Sequence, residues 1–335
     1  MIQNLRWLRH YLKTRLIGQV QARLNRPPQT DELLFVVPAS SRGWILDGIC
    51  KDLQRQYPAP SRVFYQADGE LLPPAGAYFF IHYFIAITAL ARDPAVWRAR
   101  RLVWYTHPSD ELITANEAEI IYALNHLSRV ICTNTRVQAQ LIARGVSAER
   151  VTTLLGAADP DLFKPQARPG AGRVCICTAY YPRKNPELMA AVIRAMPDLH
   201  FVLLGKDWEQ WEGFAALRTC SNFEYLTLRY ADYPAQYRRM DCYLSTSLLE
   251  GGPIPLVETM MCNLVPVVSD TGFAADLIRH GENGYIFPVD AGPDQVVALL
   301  RQALANRSDI AATVAHLTWQ AMAQALAREV EAVGP

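Results

Sequence analysis

The chain lacks most of the features that would place it quickly in a class. Net charge is nearly missing: 33 Lys and Arg stand against 32 Asp and Glu, a formal +1 over 335 residues. Such a balance offers no broad basic field, so nucleic acid is not expected as a partner. Long hydrophobic runs are missing too. The longest nearly apolar stretch is Tyr78–Ala91, broken by His82. It is shorter than the roughly 18–20 residues a membrane span needs, and a buried strand leading into the next element is expected, with His82 packed in the core. No unbroken apolar segment follows the basic N-terminus, so no secretory signal is expected. The seven cysteines, at 50, 132, 175, 177, 220, 242 and 262, are odd in number and form no Cys-x-x-Cys. Buried free thiols in a reducing cytosol fit them better than disulfides or a zinc site. Short repeats and low-complexity tracts are absent, which excludes solenoids and repetitive linkers.

What is present is an ordinary globular composition, 50% hydrophobic and 19% charged, with enough length for two α/β domains. The charge is unevenly spread. Residues 1–30 hold Arg6, Arg9, Lys13, Arg15, Arg23 and Arg26 and no acid, so the remaining 27 basic residues face all 32 acidic ones. A neutral total hides a basic arm on a mildly acidic body. Along that arm Leu5, Leu8, Leu12, Leu16 and Val20 recur at helical spacing, with Trp7 and Tyr11 beside them. A basic amphipathic helix is expected over 1–30, either lying on an anionic membrane surface or docked on the domain that follows.

Beyond the arm, short β-branched and aromatic runs alternate with amphipathic stretches. Strands are expected at Leu33–Pro38, Val63–Gln66, Ala77–Ile85, Leu102–Thr106, Val130–Thr133 and Val151–Leu155. Helices fall between them at Ile45–Gln56, Asn116–Leu127 and Val137–Arg144. The alternation pauses at Asp159–Gly172, rich in Pro, Gly and Ala, which reads as a linker. It resumes with strands Val174–Thr178, His200–Gly205, Phe223–Thr227, Cys242–Ser245 and Val265–Ser269. Helices are expected there at Pro186–Met196, Pro234–Arg239, Pro255–Cys262 and Phe273–Arg279. Such a pattern predicts an α/β protein of two tandem Rossmann-like domains with an interdomain cleft. In open parallel sheets the ligand sits beyond the carboxyl ends of the strands.

The segment Ser245-Thr-Ser-Leu-Leu-Glu250-Gly251-Gly252-Pro253-Ile-Pro255-Leu-Val-Glu258 lies at one such end. Gly251 and Gly252 allow the backbone to bring its N–H groups close to a ligand. Pro253 and Pro255 suit entry into a helix whose N-terminus would face an anion. Glu250 and Glu258, on either side, can accept bonds from sugar and ribose hydroxyls. The plain alternative is a loop with two solvated glutamates. A second candidate is Tyr181-Pro-Arg183-Lys184-Asn185-Pro186, a strand-to-helix turn that carries Lys184 towards the cleft, with Arg183 beside it or facing solvent. His107, in Tyr105-Thr-His107-Pro, ends another strand and reads equally as a site residue or a structural one.

These residues resemble the Glu-x7-Glu motif of retaining family-4 glycosyltransferases with the GT-B fold (glycosyltransferase group 1). The likeness continues through Pro266-Val-Val-Ser-Asp270-Thr271-Gly272, and through Asp276 to the Gly281-x-x-Gly284 hairpin. Upstream, Gly156-Ala-Ala-Asp159-Pro-Asp-Leu-Phe163-Lys-Pro165 looks like the family's end-of-domain signature. The resemblance is clear over about 130–290 and weak before that. It implies an acceptor-side domain over 31–165 and a nucleotide-sugar-binding domain over 166–335, the latter ending in the C-terminal helix. It also implies that Glu250 contacts donor-sugar hydroxyls, Glu258 the ribose, and Thr271 and Gly272 the diphosphate, with His107 beside the reacting sugar. Lys184 would neutralise the leaving diphosphate. One departure stands out: the family usually has an arginine five or six residues before that lysine, where this chain has Ala179 and Thr178.

The expected activity is therefore a metal-independent, retaining hexosyltransferase, with the nucleotide-diphosphate sugar as substrate and no further cofactor. The acceptor would be a glycan or a lipid-linked acceptor in cell-surface polysaccharide or glycoconjugate synthesis. The expected location is the cytoplasm, or the inner face of the membrane through peripheral contact. The rival reading is a catalytically weak GT-B module that binds a nucleotide or serves as an assembly partner. A sugar phosphorylase or epimerase on the same fold is disfavoured by the order of the motifs.

Overall fold

The computed structural model describes residues 6–24, 32–106 and 117–334. The chain divides into two compact units: residues up to Leu155 together with those from Trp319 onward, and Gly156–Thr318.

The first unit is built on six parallel strands, β1 (Leu33–Pro38), β2 (Ser61–Gln66), β3 (Ala77–Phe80), β4 (Arg100–Tyr105), β5 (Arg129–Cys132) and β6 (Val151–Thr153), in the order β2-β1-β3-β4-β5-β6. β1 and β3 are uninterrupted apolar runs whose side chains are buried from Leu33 to Val37 and from Ala77 to Phe80, as strands covered on both faces must be. Helices make the connections other than that from β2 to β3, beginning with Ile45–Gln56, whose Ile49, Cys50 and Leu53 are buried at helical spacing. The run expected as one strand into Ile85 breaks at His82. There the ring Nδ1 accepts from the Phe84 N–H at 3.3 Å, and helix Tyr83–Arg92 begins. His82 is thus a helix cap rather than a packed core side chain.

The second unit repeats the plan with β7 (Arg173–Cys177), β8 (His200–Leu204), β9 (Phe223–Leu226), β10 (Cys242–Ser245), β11 (Val265–Ser269) and β12 (Tyr285–Phe287), all parallel, in the order β12-β11-β10-β7-β8-β9. The chain builds outward from β7 through β8 to β9, then returns to the other side of β7 and builds β10 to β12. The strand order therefore reverses between β7 and β10, and the connections after these two strands lead towards opposite edges of the sheet. That is where a doubly wound sheet receives its ligand.

Two boundaries differ from those expected. The chain enters the second unit at Gly156, not near 165. A Cβ at Gly156 would lie 2.8 Å from Ile254 Cδ1 and 2.9 Å from Phe273 Cε1. Ala158 donates its N–H to Leu317 O at 3.0 Å, and Phe163 is buried against the rings of Tyr230 and Tyr237. The Pro- and Gly-rich stretch read as a linker thus begins inside the second unit. At the other end, helix Trp319–Ala332 belongs to the first unit. It packs on helix Ile45–Gln56, Glu329 pairs with Arg129 at 2.7 Å, and Arg100 Nε donates to Val333 O at 3.0 Å. All seven cysteines are free, and six of them are buried.

Candidate functional site

Both loops at the strand-order reversal of the second unit carry charge. After β7 the chain makes a short turn, Pro182–Lys184, and Asn185 follows in the left-handed region at φ 53° before helix Pro186–Ala195. After β10 it runs through Thr246 and Ser247 to Glu250. The two loops are tied together by backbone. Leu248 N–H donates to Arg183 O at 2.7 Å, and Thr246 Oγ1 donates to Lys184 O at 2.9 Å. Arg183 and Lys184 are thereby held facing the segment that presents Glu250.

Lys184 Nζ donates to Glu250 Oε1 in a direct ion pair, and Arg183 Nη1 approaches Oε2 at 3.4 Å while donating to Leu249 O at 3.1 Å. Ser247 Oγ donates to the same Oε1 at 2.7 Å. The Glu250 side chain is 10% exposed. Burial alone would push its carboxyl up, but Lys184 and then Arg183, with the hydrogen bonds from Lys184 and Ser247, outweigh it and hold the group below its ordinary value. Arg183 therefore does not simply face solvent: it lies over the Tyr181 ring, 5.0 Å from the centroid, and reaches the carboxylate. Two cations around one carboxylate leave a net positive charge, which suits an anion.

A glycine closes the site from β11. Gly272 has φ 56°, and a Cβ there would meet Pro253 Cδ at 2.9 Å, Gly251 O at 3.0 Å and Glu250 Cβ at 3.1 Å. Only glycine lets the β11 turn lie this close to the Glu250–Gly251 backbone. Hydroxyls continue the connection: Thr271 Oγ1 is 3.3 Å from Ser269 Oγ, which donates to Ser247 O at 2.5 Å.

The helix after Gly252 runs Ile254–Met261 and has no side-chain cap. Its N-terminus offers less to an anion than expected. Pro253 and Pro255 have no N–H, and that of Leu256 is spent on Pro253 O at 2.9 Å. Most of the positive charge in the site therefore comes from side chains.

Glu258 stands apart from this cluster. It is the fifth residue of its helix and only 1% exposed. Its oxygens accept from Tyr230 at 2.5 Å and from Tyr237 at 3.2 Å. Burial and then the Glu258 charge push the Cys177 thiol up to about 12. Tyr237 is fully buried, whereas Tyr230 is 44% exposed and lies between the carboxylate and solvent.

The structure thus brings together Lys184, Arg183, Glu250, Gly251, Thr271 and Gly272, and holds Glu258 on a separate tyrosine pair. His107 lies outside the described residues. Thr178, where an arginine was expected, donates its hydroxyl to Ala179 O at 3.0 Å and accepts Trp208 Nε1–H on its carbonyl at 2.8 Å. Ser247 and Tyr230 were not singled out from sequence. The hydroxyl-rich end of β10 and the Tyr230–Tyr233–Tyr237 spacing were the available signals. The sequence holds one Asp-x-Asp triplet, Asp159-Pro160-Asp161. Here it makes a turn in which Asp161 N–H donates to Asp159 Oδ1 at 2.8 Å. Among the described residues no three His, Cys, Asp or Glu side chains are grouped to hold a metal.

Residues 160–315 match the family model of glycosyl transferases group 1. No curated protein matches the chain in sequence. Among solved structures, HepE of Anabaena in complex with UDP-glucose superposes with a TM-score of 0.73 at 15% identity, covering 90% of this chain and all of that one. The lipopolysaccharide outer core galactosyltransferase WaaB gives 0.72 at 13%, covering 90% and 99%. Sucrose-phosphate synthase of Thermosynechococcus elongatus gives 0.70 at 14%, covering 90% and 98%. The chain has the GT-B fold, and the resemblance to group 1 glycosyltransferases holds over residues 160–315.

Proposed function

We propose that the chain is a retaining glycosyltransferase of family 4 that moves a hexose from a nucleoside diphosphate sugar to a glycan or lipid-linked acceptor. The observation that carries this reading is the Lys184–Glu250–Arg183 cluster at the strand-order reversal of the second unit. Solved structures of similar fold hold UDP-glucose or carry galactosyltransferase activity, which favours a UDP-sugar as donor.

In this reading Glu250 takes hydroxyls of the donor sugar and Lys184 faces the diphosphate. As the bond between the anomeric carbon and the diphosphate oxygen breaks, charge grows on that oxygen, and a positioned ammonium stabilises it. The acceptor oxygen bonds to the anomeric carbon, and its proton passes to a donor phosphate oxygen. No separate base and no metal are then required. Arg183, already on the Glu250 carboxylate, takes the part of the arginine missing at Thr178. The buried thiols suit a reducing cytoplasm, and a role in building cell-surface polysaccharide or glycoconjugates fits an acceptor held at the inner membrane face.

Thermal-shift and calorimetric screening against nucleoside diphosphates, followed by turnover of the best UDP-sugar with and without EDTA, tests the reading. Binding of UDP with EDTA-insensitive release of UDP from the sugar is expected. Binding without any release or transfer would support the non-catalytic module instead, for which Thr178 in place of arginine is the supporting observation. Loss of turnover in EDTA would remove metal independence.

A further inference from the structure

The helix Arg6–Leu24 presents its buried and exposed sides in an unusual way. Its inward side is not the leucine stripe. Trp7, Tyr11, Thr14 and Gly18, at spacings of four, three and four, face the first unit. Tyr11 donates its hydroxyl to Ile87 O at 3.1 Å, and Thr14 donates to Ala91 O at 2.8 Å. Trp7, Tyr11 and Tyr122 pack edge to face with centroids 5.2–5.7 Å apart. Gly18 sits so close that a Cβ would lie 2.5 Å from Pro94 O and 3.0 Å from Trp97 Cβ. Arg15 stacks over the Trp97 ring at 5.6 Å. The helix is therefore fixed to the unit by aromatic rings, two hydroxyl bonds and the close approach of Gly18.

That docking turns the aliphatic residues outward. Leu12, Leu16 and Val20, one turn apart, are 52%, 62% and 45% exposed, and Ile17 is exposed beside them. Arg9 and Lys13 are exposed on the same side, and the first 30 residues contain no acid. A folded protein leaves such a row bare only at the cost of contact with water, and an apolar row studded with cations points to a specific occupant.

We propose that this outward side of Arg6–Leu24 docks flat on an anionic lipid surface. The aliphatic side chains enter the headgroup boundary while Arg9 and Lys13 extend to lipid phosphates, as long basic side chains do at interfaces. A second copy of the chain fits less well, because pairing this side with itself sets Arg9 and Lys13 against like charges with no acid to answer them. The helix is not a membrane span: no helix among the described residues is long and apolar enough to cross. The proposal does not depend on the sugar-transfer reading.

The test is cosedimentation of the full-length chain with large unilamellar vesicles of phosphatidylcholine alone and of phosphatidylcholine with one third phosphatidylglycerol. Binding to the anionic vesicles only is expected, falling as salt rises. The triple variant Leu12→Ser, Leu16→Ser, Val20→Ser should bind at least tenfold more weakly with unchanged thermal unfolding. Arg9→Gln with Lys13→Gln should also weaken binding, by roughly fivefold for each charge removed. Equal partitioning of wild type and the triple variant would overturn the proposal. So would absence of binding to anionic vesicles, or a wild-type dimer in light scattering that the triple variant abolishes.

Discussion

Lys184 and Glu250 form a direct ion pair across the two loops that part at the strand-order reversal. Residues that the sequence motif assigns to different ends of a donor, one to the diphosphate and one to the sugar, are thus in contact with each other. Glu250 accepts from Lys184, Ser247 and Arg183 together. A carboxylate has about four lone-pair sites, so one further donor fits without displacing any of the three. A sugar hydroxyl is a donor of that kind. Lys184, with three donors on a flexible stem, can keep one on Glu250 and turn another towards phosphate.

If this arrangement is catalytic, Lys184→Ala should lower turnover by about a hundredfold or more, and lower donor affinity much less. The charge Lys184 answers is larger on the leaving oxygen than in the ground state, and one preorganised donor contributes about that much. Steady-state kinetics beside calorimetry with UDP separates the two effects; normal turnover in Lys184→Ala would remove the lysine from the site. Thr178→Arg should be neutral or harmful, because Arg183 already supplies the second cation. A clear gain in turnover would show that it does not.

The ion pair also predicts a pH dependence. The Glu250 carboxyl is held below its ordinary value of 4.5, since Lys184 and Arg183 outweigh the effect of burial. A group lowered on folding stabilises the fold above its unfolded value and loses that contribution as pH falls through the folded value. Glu250→Gln should therefore be less stable than wild type near neutrality, and the gap in melting temperature should close as pH falls below about 4.5. A gap that stays constant from pH 7 to 3 would mean that Glu250 is not held charged by its neighbours.

The parts of the fold legible in the sequence are those set by local burial. Leu33–Pro38, Cys242–Ser245, Val265–Ser269 and helix Ile45–Gln56 have the expected bounds, because each is an apolar run or stripe bounded by polar or turn-forming residues. β12, Tyr285–Phe287, is only three residues long between Gly284 and Pro288 and is not among the strands expected, because too few residues are there to show a period. Unit boundaries failed for a different reason. Pro and Gly between 159 and 172 mark a break in regular structure, but the burial of Phe163 against Tyr230 is tertiary. Likewise nothing in the local pattern of Trp319–Ala332 says which unit it packs on. At the site, Lys184 and Glu250 were legible from their spacing to strands. Ser247 and Tyr230 depend on which loops approach one another, and that is decided only in the folded chain.

Gly272 tests how closely the β11 turn must approach. Its φ of 56° is costly for any residue with a Cβ, and an added methyl would lie 2.9–3.1 Å from Pro253, Gly251 and Glu250. Gly272→Ala should destabilise by about 1–3 kcal/mol from the left-handed backbone and the contacts together. It should also weaken donor binding, since relief of the clash displaces Glu250. Thermal unfolding and calorimetry with UDP-glucose check both parts, and unchanged values in each would mean that the turn is free to move.

The last prediction concerns Glu258 and Tyr230. Family resemblance assigns Glu258 to the ribose, yet its carboxylate is 1% exposed and accepts from Tyr230 and Tyr237. Tyr237 is buried and must keep its bond, while Tyr230 reaches solvent, so a ribose hydroxyl would take the place of the Tyr230 hydroxyl on Oε1. Binding then exchanges one hydroxyl donor for another, and Tyr230→Phe should leave UDP affinity unchanged or raise it by removing the competitor. Glu258→Gln should weaken UDP by about 1.5–3 kcal/mol, the size of a hydrogen bond to a charged group. Glu258→Ala is a poorer probe, because it strands the buried Tyr237 hydroxyl and costs stability as well. UDP lacking a ribose hydroxyl sharpens the test: it should bind wild type more weakly than UDP does, and Glu258→Gln should lose that discrimination. If Glu258 only braces the two tyrosines, Tyr230→Phe and Glu258→Gln will lower the melting temperature and leave UDP binding untouched. In that case the ribose contact must be sought elsewhere on the loops after β7 and β10.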